Sequence, residues 1–221
     1  GGKGLLLGGV AGITPPEVLI IGASITGSVA ARAAMALGAQ VKVFDHDINK
    51  LRKIQHYLGA QIFTSVIHPA VLFRALASAD AVIGNLRYIN GSERFMVSED
   101  LVKTMKKGAV IVDLSVDQGG CFETSECRTI SNAVFVKHGI THYCVPNISA
   151  RVGRTSSMAL SNIFSHILLK IGHSGSVRQS IAESSGFRHG AYIFNGIMVN
   201  RLIGDYYNIP SNDIGLLLAG Y

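Results

Sequence analysis

The run from Val18 to Asp45 restricts what this chain can fold into more than any other stretch. Val18–Ile21 is a continuous apolar run, the pattern of a short strand buried on both faces. Gly22-Ala23-Ser24-Ile25-Thr26-Gly27 follows directly. A helix is predicted over Thr26–Leu37, with Ala30, Ala33, Ala34 and Leu37 on one face and Gly38 as its C-terminal stop. Val41–Phe44 is a second strand, and Asp45 ends it. The order is strand, glycine-bearing turn, helix, strand, acid.

That order carries a specific chemistry. Gly22 permits a tight turn, and Gly27 permits close packing of helix on strand. The amides at the helix start point at a pyrophosphate. The turn reads G-x-S-x-x-G, with Ser24 where a middle glycine is usual, and its hydroxyl can donate to a phosphate oxygen. Asp45 stands near the spacing of about 20 residues at which a carboxylate accepts the adenosine ribose hydroxyls. It would repel the 2′-phosphate of NADP, so the pattern points to NAD. The competing reading is a tight turn followed by a surface aspartate. Lys50, one turn into the next helix, can reach the ribose or a phosphate, or serve as a solvated helix lysine.

The alternation continues along the chain. Helices are predicted over Ile48–Leu58, Pro69–Ser78 and Glu99–Met105, and strands over Gln61–Ser65, Ala81–Ile83 and Val110–Leu114. Asn85–Gly91 and Ser115–Arg128 read as loops, and Ala133–Val136 and His142–Val145 as shorter strands. This is an α/β pattern: a Rossmann-type doubly wound parallel sheet with helices on both faces. The domain reading has three parts. Residues 1–16, glycine-rich and apolar, are a connector. Residues 17–148 are the dinucleotide-binding domain. Residues 149–221 are a helical segment of a second domain. A long helix over Thr155–Ile171 carries Met158, Leu160, Ile163, Phe164, Ile167, Leu168 and Ile171 around much of its circumference, so it wants apolar partners on several sides. A last helix is predicted around Val199–Tyr207.

Composition excludes several classes. The formal charge of +6 comes from scattered basic residues, apart from Lys103, Lys106 and Lys107, without aromatic interleaving, which argues against a nucleic-acid surface. No apolar run approaches the length of about 18 residues needed to span a membrane. Cys121, Cys127 and Cys144 lack metal-ligand spacing and read as reduced thiols of a cytoplasmic protein. The histidines form no close ligand pair, so no metal is assigned. The chain opens Gly-Gly-Lys-Gly without methionine and reads as a piece of something longer.

Two further segments lie at strand ends, where open α/β sheets bind ligands. Val112–Cys121 places Asp117 before Gly119-Gly120, either as a carboxylate at the rim of a nicotinamide pocket or as a turn-capping residue. Asp113, further inside the strand, reads as structural. His142–Asn147 ends on Asn147, whose amide can meet a carboxamide or carboxylate, or simply make a turn. His142 reads as a buried, hydrogen-bonded histidine.

At these places the chain resembles the alanine dehydrogenase family, which shares its fold with the NAD-binding subunit of proton-translocating transhydrogenase. The resemblance is carried by residues 1–10, Val18–Asp45, Ala79–Gly84, Val112–Thr124 and His142–Asn147 with Arg154-Thr155-Ser156. It implies NAD-dependent oxidative deamination of L-alanine to pyruvate and ammonium, with this chain supplying the NAD-binding part. Asp117 is implied as the catalytic acid–base residue. The implied cofactor contacts are Gly22, Ser24, Gly27, Asp45, Lys50, Leu86, Arg87, Leu114, Ser115, Val116, Val145, Asn147 and Ile148.

The family's remaining substrate residues fall in an N-terminal half that this sequence lacks, and the long helix would pack on that half. The family is commonly a homo-oligomer, usually a hexamer. The sequence departs from it at Ile67 or His68 (a serine in the family), at Glu126 (an arginine, with Arg128 two residues on) and at Asn147-Ile148-Ser149 (Asn-Met-Pro). A transhydrogenase subunit and a non-catalytic NAD-binding module are the alternative readings.

Overall fold

The computed structural model describes residues 3–86 and 96–219. The chain divides into two compact units, one ending at Ile148 and one beginning at Ser149.

In the first unit, β1 (Glu17–Ile21), β2 (Gln40–Asp45), β3 (Phe63–Val66), β4 (Ala81–Gly84), β5 (Val110–Asp113), β6 (Val134–Lys137) and β7 (Ile140–Tyr143) form one sheet, in the order β3-β2-β1-β4-β5-β7-β6. All pairs are parallel except β6 with β7. Strand order reverses between β1 and β4, which opens a crevice at their carboxyl ends.

The continuous apolar runs have a direct cause, because successive side chains of a strand point to opposite faces. Leu19 and Ile21 enter one core, with Leu72, Ala75 and Leu76 of α3 (Pro69–Ser78) and Val102 of α4 (Glu99–Lys103). Val18 and Ile20 enter the other, with Ala31 and Ala34 of α1 (Ile25–Ala36) and Leu51 and Ile54 of α2 (Ile48–Leu58). Both faces of β1 are thus covered by helices, as the doubly wound reading requires.

Local signals set the helix ends. Asp47 caps α2 by accepting from Asn49 N at 2.8 Å, and Gly59 ends it in the left-handed region. Pro69 opens α3. Residues 3–16, predicted to be a connector, are held against this unit: Lys3 Nζ pairs with Asp80 Oδ1 at 2.9 Å, and Leu7 packs on the α1/α2 core.

The sequence reading left the pairing of the two short strands after the long loop open. β6 and β7 form an antiparallel hairpin in which Lys137 pairs with Ile140 across His138-Gly139. Both turn residues have positive φ, 54° and 76°, the requirement of a type I′ turn. A two-residue link leaves no room for the crossover that parallel pairing demands.

The second unit contains α5 (Gly153–His173), α6 (Val177–Glu183), α7 (Ser185–Gly190), a hairpin of β8 (Ile193–Phe194) and β9 (Ile197–Met198), α8 (Arg201–Tyr207) and α9 (Ile214–Ala219). No residue of α5 is buried, and Met158, Leu160, Ile163, Phe164 and Leu168 are each more than half exposed. Among the described residues no helix is long and apolar enough to cross a membrane.

His142 on β7 is fully buried against the ring of Phe135, with centroids 4.8 Å apart. Its Nδ1 lies 3.0 Å from Ile140 O, and its Nε2 lies 2.9 Å from Thr124 Oγ1. A neutral ring satisfies both, donating to the carbonyl and accepting from the hydroxyl. Burial pushes its pKa below the ordinary 6.5. The unfolded chain therefore takes up a proton that the folded chain refuses, so stability is complete above pH 6.5 and falls as pH drops toward the lowered value. Urea unfolding between pH 7 and 5 should show this loss, and His142→Gln should flatten it. An unchanged slope in the variant would refute the assignment.

Gly84 provides a packing test. A Cβ there would lie 2.4 Å from Phe122 Cε2 and 2.7 Å from Cys121 Cβ, both in the core. Gly84→Ala should cost about 1–3 kcal/mol in chemical denaturation.

Candidate active site

Six parallel strands end at one edge of the sheet, and the predicted site residues sit on the segments that leave five of them, β1, β2, β4, β5 and β7. The turn after β1 is the tightest of them. Gly22 has φ of 114°, and its amide donates to Phe44 O at 2.7 Å. A Cβ on Gly22 would meet the backbone of Asn85 at 2.8 Å, and one on Gly27 would meet Gly22 O at 2.0 Å. Each position therefore excludes every side chain, and the two glycines let the turn close on itself and on the segment after β4. Ser24 caps α1, its Oγ accepting from Gly27 N at 3.3 Å.

Asp45 lies at this turn. Its Oδ2 accepts from Ala23 N at 2.7 Å and its Oδ1 from Asp47 N at 2.9 Å, while the residue is only 2% exposed. A carboxylate offers about four acceptor positions, and two are used here, so acceptor capacity remains for vicinal hydroxyls. Asp45 is thus a buried carboxylate bound to the turn and not a surface one. Lys50 is exposed in the first turn of α2. Leu86, after β4, is half-buried against the α3/α4 core. Arg87 lies outside the described residues.

The loop after β5 is organised by Asp113, which is 1% exposed. Its Oδ1 accepts from Ser115 N and Ser115 Oγ, both at 2.9 Å. Its Oδ2 accepts from Cys121 N at 2.8 Å, Ser125 Oγ at 2.6 Å and Phe122 N at 3.4 Å. The segment expected as a loop is thereby gathered into a knot. The hydroxyl and amide of Ser115 are both turned inward onto Asp113, and Leu114 and Val116 beside it are half-buried. Asp117 stands exposed on a 3₁₀ turn over Val116–Gln118, followed by Gly119 and Gly120 at φ of 103° and 80°.

After β7, Val145 is buried, Asn147 takes a left-handed conformation with φ of 54°, and Ile148 is 42% exposed. Asn147 and Ile148 thus share the edge with Asp117, on neighbouring strands β7 and β5. Burial raises the thiol pKa of both Cys121 and Cys144, with the Asp113 charge adding to it, so both stay protonated and unreactive. Among the described residues no cluster of His, Cys, Asp and Glu could hold a metal ion.

Sequence reasoning passed over Asn85, whose side-chain amide donates to Ser24 Oγ. The available signal was its position: it is the first residue beyond β4, the strand beside β1.

Residues 1–201 match the family model described as "Alanine dehydrogenase/PNT, C-terminal domain". The alanine dehydrogenase of Mycolicibacterium smegmatis is 37% identical over 219 residues, which are 99% of this chain and 59% of that protein. That of Bacillus subtilis is 38% identical over 197 residues, 89% of this chain and 52% of that one. A solved L-alanine dehydrogenase superposes with a TM-score of 0.84 at 31% identity, covering 94% of this chain and 57% of that one. A transhydrogenase from Sinorhizobium meliloti, with a TM-score of 0.62 at 24% identity, shares the fold. The chain spans a little over half the length of the curated relatives it matches.

Removing the Asp113 carboxylate should release the knot. Asp113→Ala leaves the amides of Ser115 and Cys121 without their acceptor, at a cost of about 3 kcal/mol or more. Amide hydrogen exchange should accelerate at Ser115 and Cys121 before it does in β1. Retained protection at both amides would contradict the assignment.

Proposed function

Since the chain belongs to the alanine dehydrogenase/PNT family through its C-terminal domain, we propose that it supplies the NAD-binding part of an enzyme that oxidatively deaminates L-alanine to pyruvate and ammonium. One observation carries this reading: the Asp45 carboxylate sits on the amide of Ala23, inside the glycine turn. A diphosphate-accepting turn and a ribose-accepting carboxylate are thereby one rigid unit. The residues fit the cofactor, because Gly22 and Gly27 allow the tight turn that brings the start of α1 beside Asp45, and Asp45 retains acceptor capacity.

In this reading Gly22, Ser24 and Gly27 hold the diphosphate, and Asp45 and Lys50 hold the adenosine ribose. Leu86, Arg87, Leu114, Ser115 and Val116 border the cofactor. Val145, Asn147 and Ile148 line the nicotinamide end. NAD, when bound, supplies the hydride acceptor. Asp117, solvent-exposed at the rim, exchanges protons with the reacting amino acid and water. The Asp113 knot keeps that carboxylate in place, and Gly119-Gly120 let the backbone come close. The remaining substrate contacts belong to the length that relatives have and this chain does not. The bare apolar face of α5 is then covered by the rest of the enzyme, in a cytoplasmic homo-oligomer.

Two measurements test this. The 221-residue chain should quench or shift NADH fluorescence on titration, and Asp45→Ala should weaken binding by about tenfold or more. Asp117→Asn in the complete enzyme should abolish alanine-dependent NADH formation while NADH affinity stays close to wild type. Near-normal turnover would remove Asp117 from the chemistry.

A further inference from the structure

Asn85 stands outside the cofactor contacts that the resemblance implies. Its backbone is fixed against β1: its amide donates to Ile21 O at 2.7 Å, and its carbonyl would lie 2.8 Å from any Cβ on Gly22. From that fixed point its side-chain Nδ2 reaches across the gap between β4 and β1 and donates to Ser24 Oγ. The same oxygen accepts from Gly27 N. A serine hydroxyl has two acceptor lone pairs and one O–H. Both lone pairs are therefore occupied, and among the described residues no acceptor takes the proton. The O–H must point away from Asn85 and from the start of α1, toward the open side of the turn.

We propose that Asn85 is a positioning residue of the diphosphate site, locking Ser24 so that its hydroxyl proton faces outward as a donor to a diphosphate oxygen. This rests on the dinucleotide reading above. A glycine at the place of Ser24 offers only room and backbone. The Ser24–Asn85 pair substitutes a fixed O–H donor for part of that room. The group recognised is a diphosphate ester, as in ADP-ribose or NADH, and not a nucleoside alone. The pair also ties the exit of β4 to the start of α1, across the crevice where strand order reverses.

The test is a titration of the 221-residue chain with NADH, ADP-ribose and adenosine, using wild type, Ser24→Ala, Ser24→Gly, Asn85→Ala, Asn85→Asp and the Ser24→Ala/Asn85→Ala double variant. Ser24→Ala and Ser24→Gly should each weaken NADH and ADP-ribose by about tenfold, the loss of one hydrogen bond to a charged acceptor. Asn85→Ala should weaken both ligands several-fold, because the hydroxyl then rotates freely. The double variant should bind no more weakly than Ser24→Ala alone, since the two residues act through one proton.

Asn85→Asp should lose more than Asn85→Ala, because a carboxylate accepts the Ser24 proton and repels the diphosphate. Adenosine binding, followed by NMR, should stay unchanged throughout. Loss of adenosine binding would mark a folding defect, and the Ser24→Gly variant then carries the comparison. Wild-type affinity in Asn85→Ala, or losses that add in the double variant, would overturn the proposal. A wild-type chain that binds neither NADH nor ADP-ribose would instead overturn the dinucleotide reading beneath it.

Discussion

The hydrogen bond from Ala23 N to Asp45 Oδ2 joins the first turn to the end of the second strand, and the proposed cofactor edge is built around it. A carboxylate so deeply covered is costly unless its oxygens are satisfied. The amides of Ala23 and Asp47 meet that need. Gly22 N reaches Phe44 O beside them, so the turn is stitched to β2 by both backbone and side chain. With Ala23 held, Ser24 falls at the start of α1 and the backbone of Asn85 closes over Gly22. The distance between the glycine turn and the Asp45 carboxylate is then a property of packing, and no loop has to find it.

The same device recurs at β5. Asp113, again the last residue of a strand, collects donors from Ser115, Cys121, Phe122 and Ser125. The two aspartates differ in what they leave over. Asp45 accepts two hydrogen bonds from the protein, whereas Asp113 accepts five and gathers the loop that carries Asp117 four residues on. Behind this loop, Thr124 bonds His142 and Phe135 stacks on the same ring, so the hairpin of β6 and β7 buttresses the loop from within. The proposed cofactor edge is thereby backed by groups that are satisfied within the protein.

The site was legible in part. Gly22, Gly27 and Asp45 announce themselves because their roles are steric and positional, and a sequence pattern records both. Asp117 before its two glycines was readable from pattern either as a pocket carboxylate or as a turn cap, and only the family resemblance pointed to the first. Asn85 did not stand out, since an asparagine after a strand is ordinary until β4 is placed beside β1. The inward turn of the Ser115 hydroxyl was equally hidden, because it depends on Asp113 reaching across to Cys121 and Ser125. The β6–β7 hairpin was missed because His138-Gly139 lacks the usual Asn-Gly signature, although both residues take positive φ.

The sequence by itself determined the layered α/β architecture: continuous apolar strands can be buried only by helices on both faces, and capping residues set where most helices begin and stop. It also determined that the first turn excludes side chains at Gly22 and Gly27. Only the tertiary structure decided which strand neighbours which, and so which carboxylates and amides meet. Those contacts join residues as far apart in the chain as Ser24 and Asn85. A hydrogen bond of that kind depends on positions a few ångströms apart in space, and local patterning carries no record of such distances.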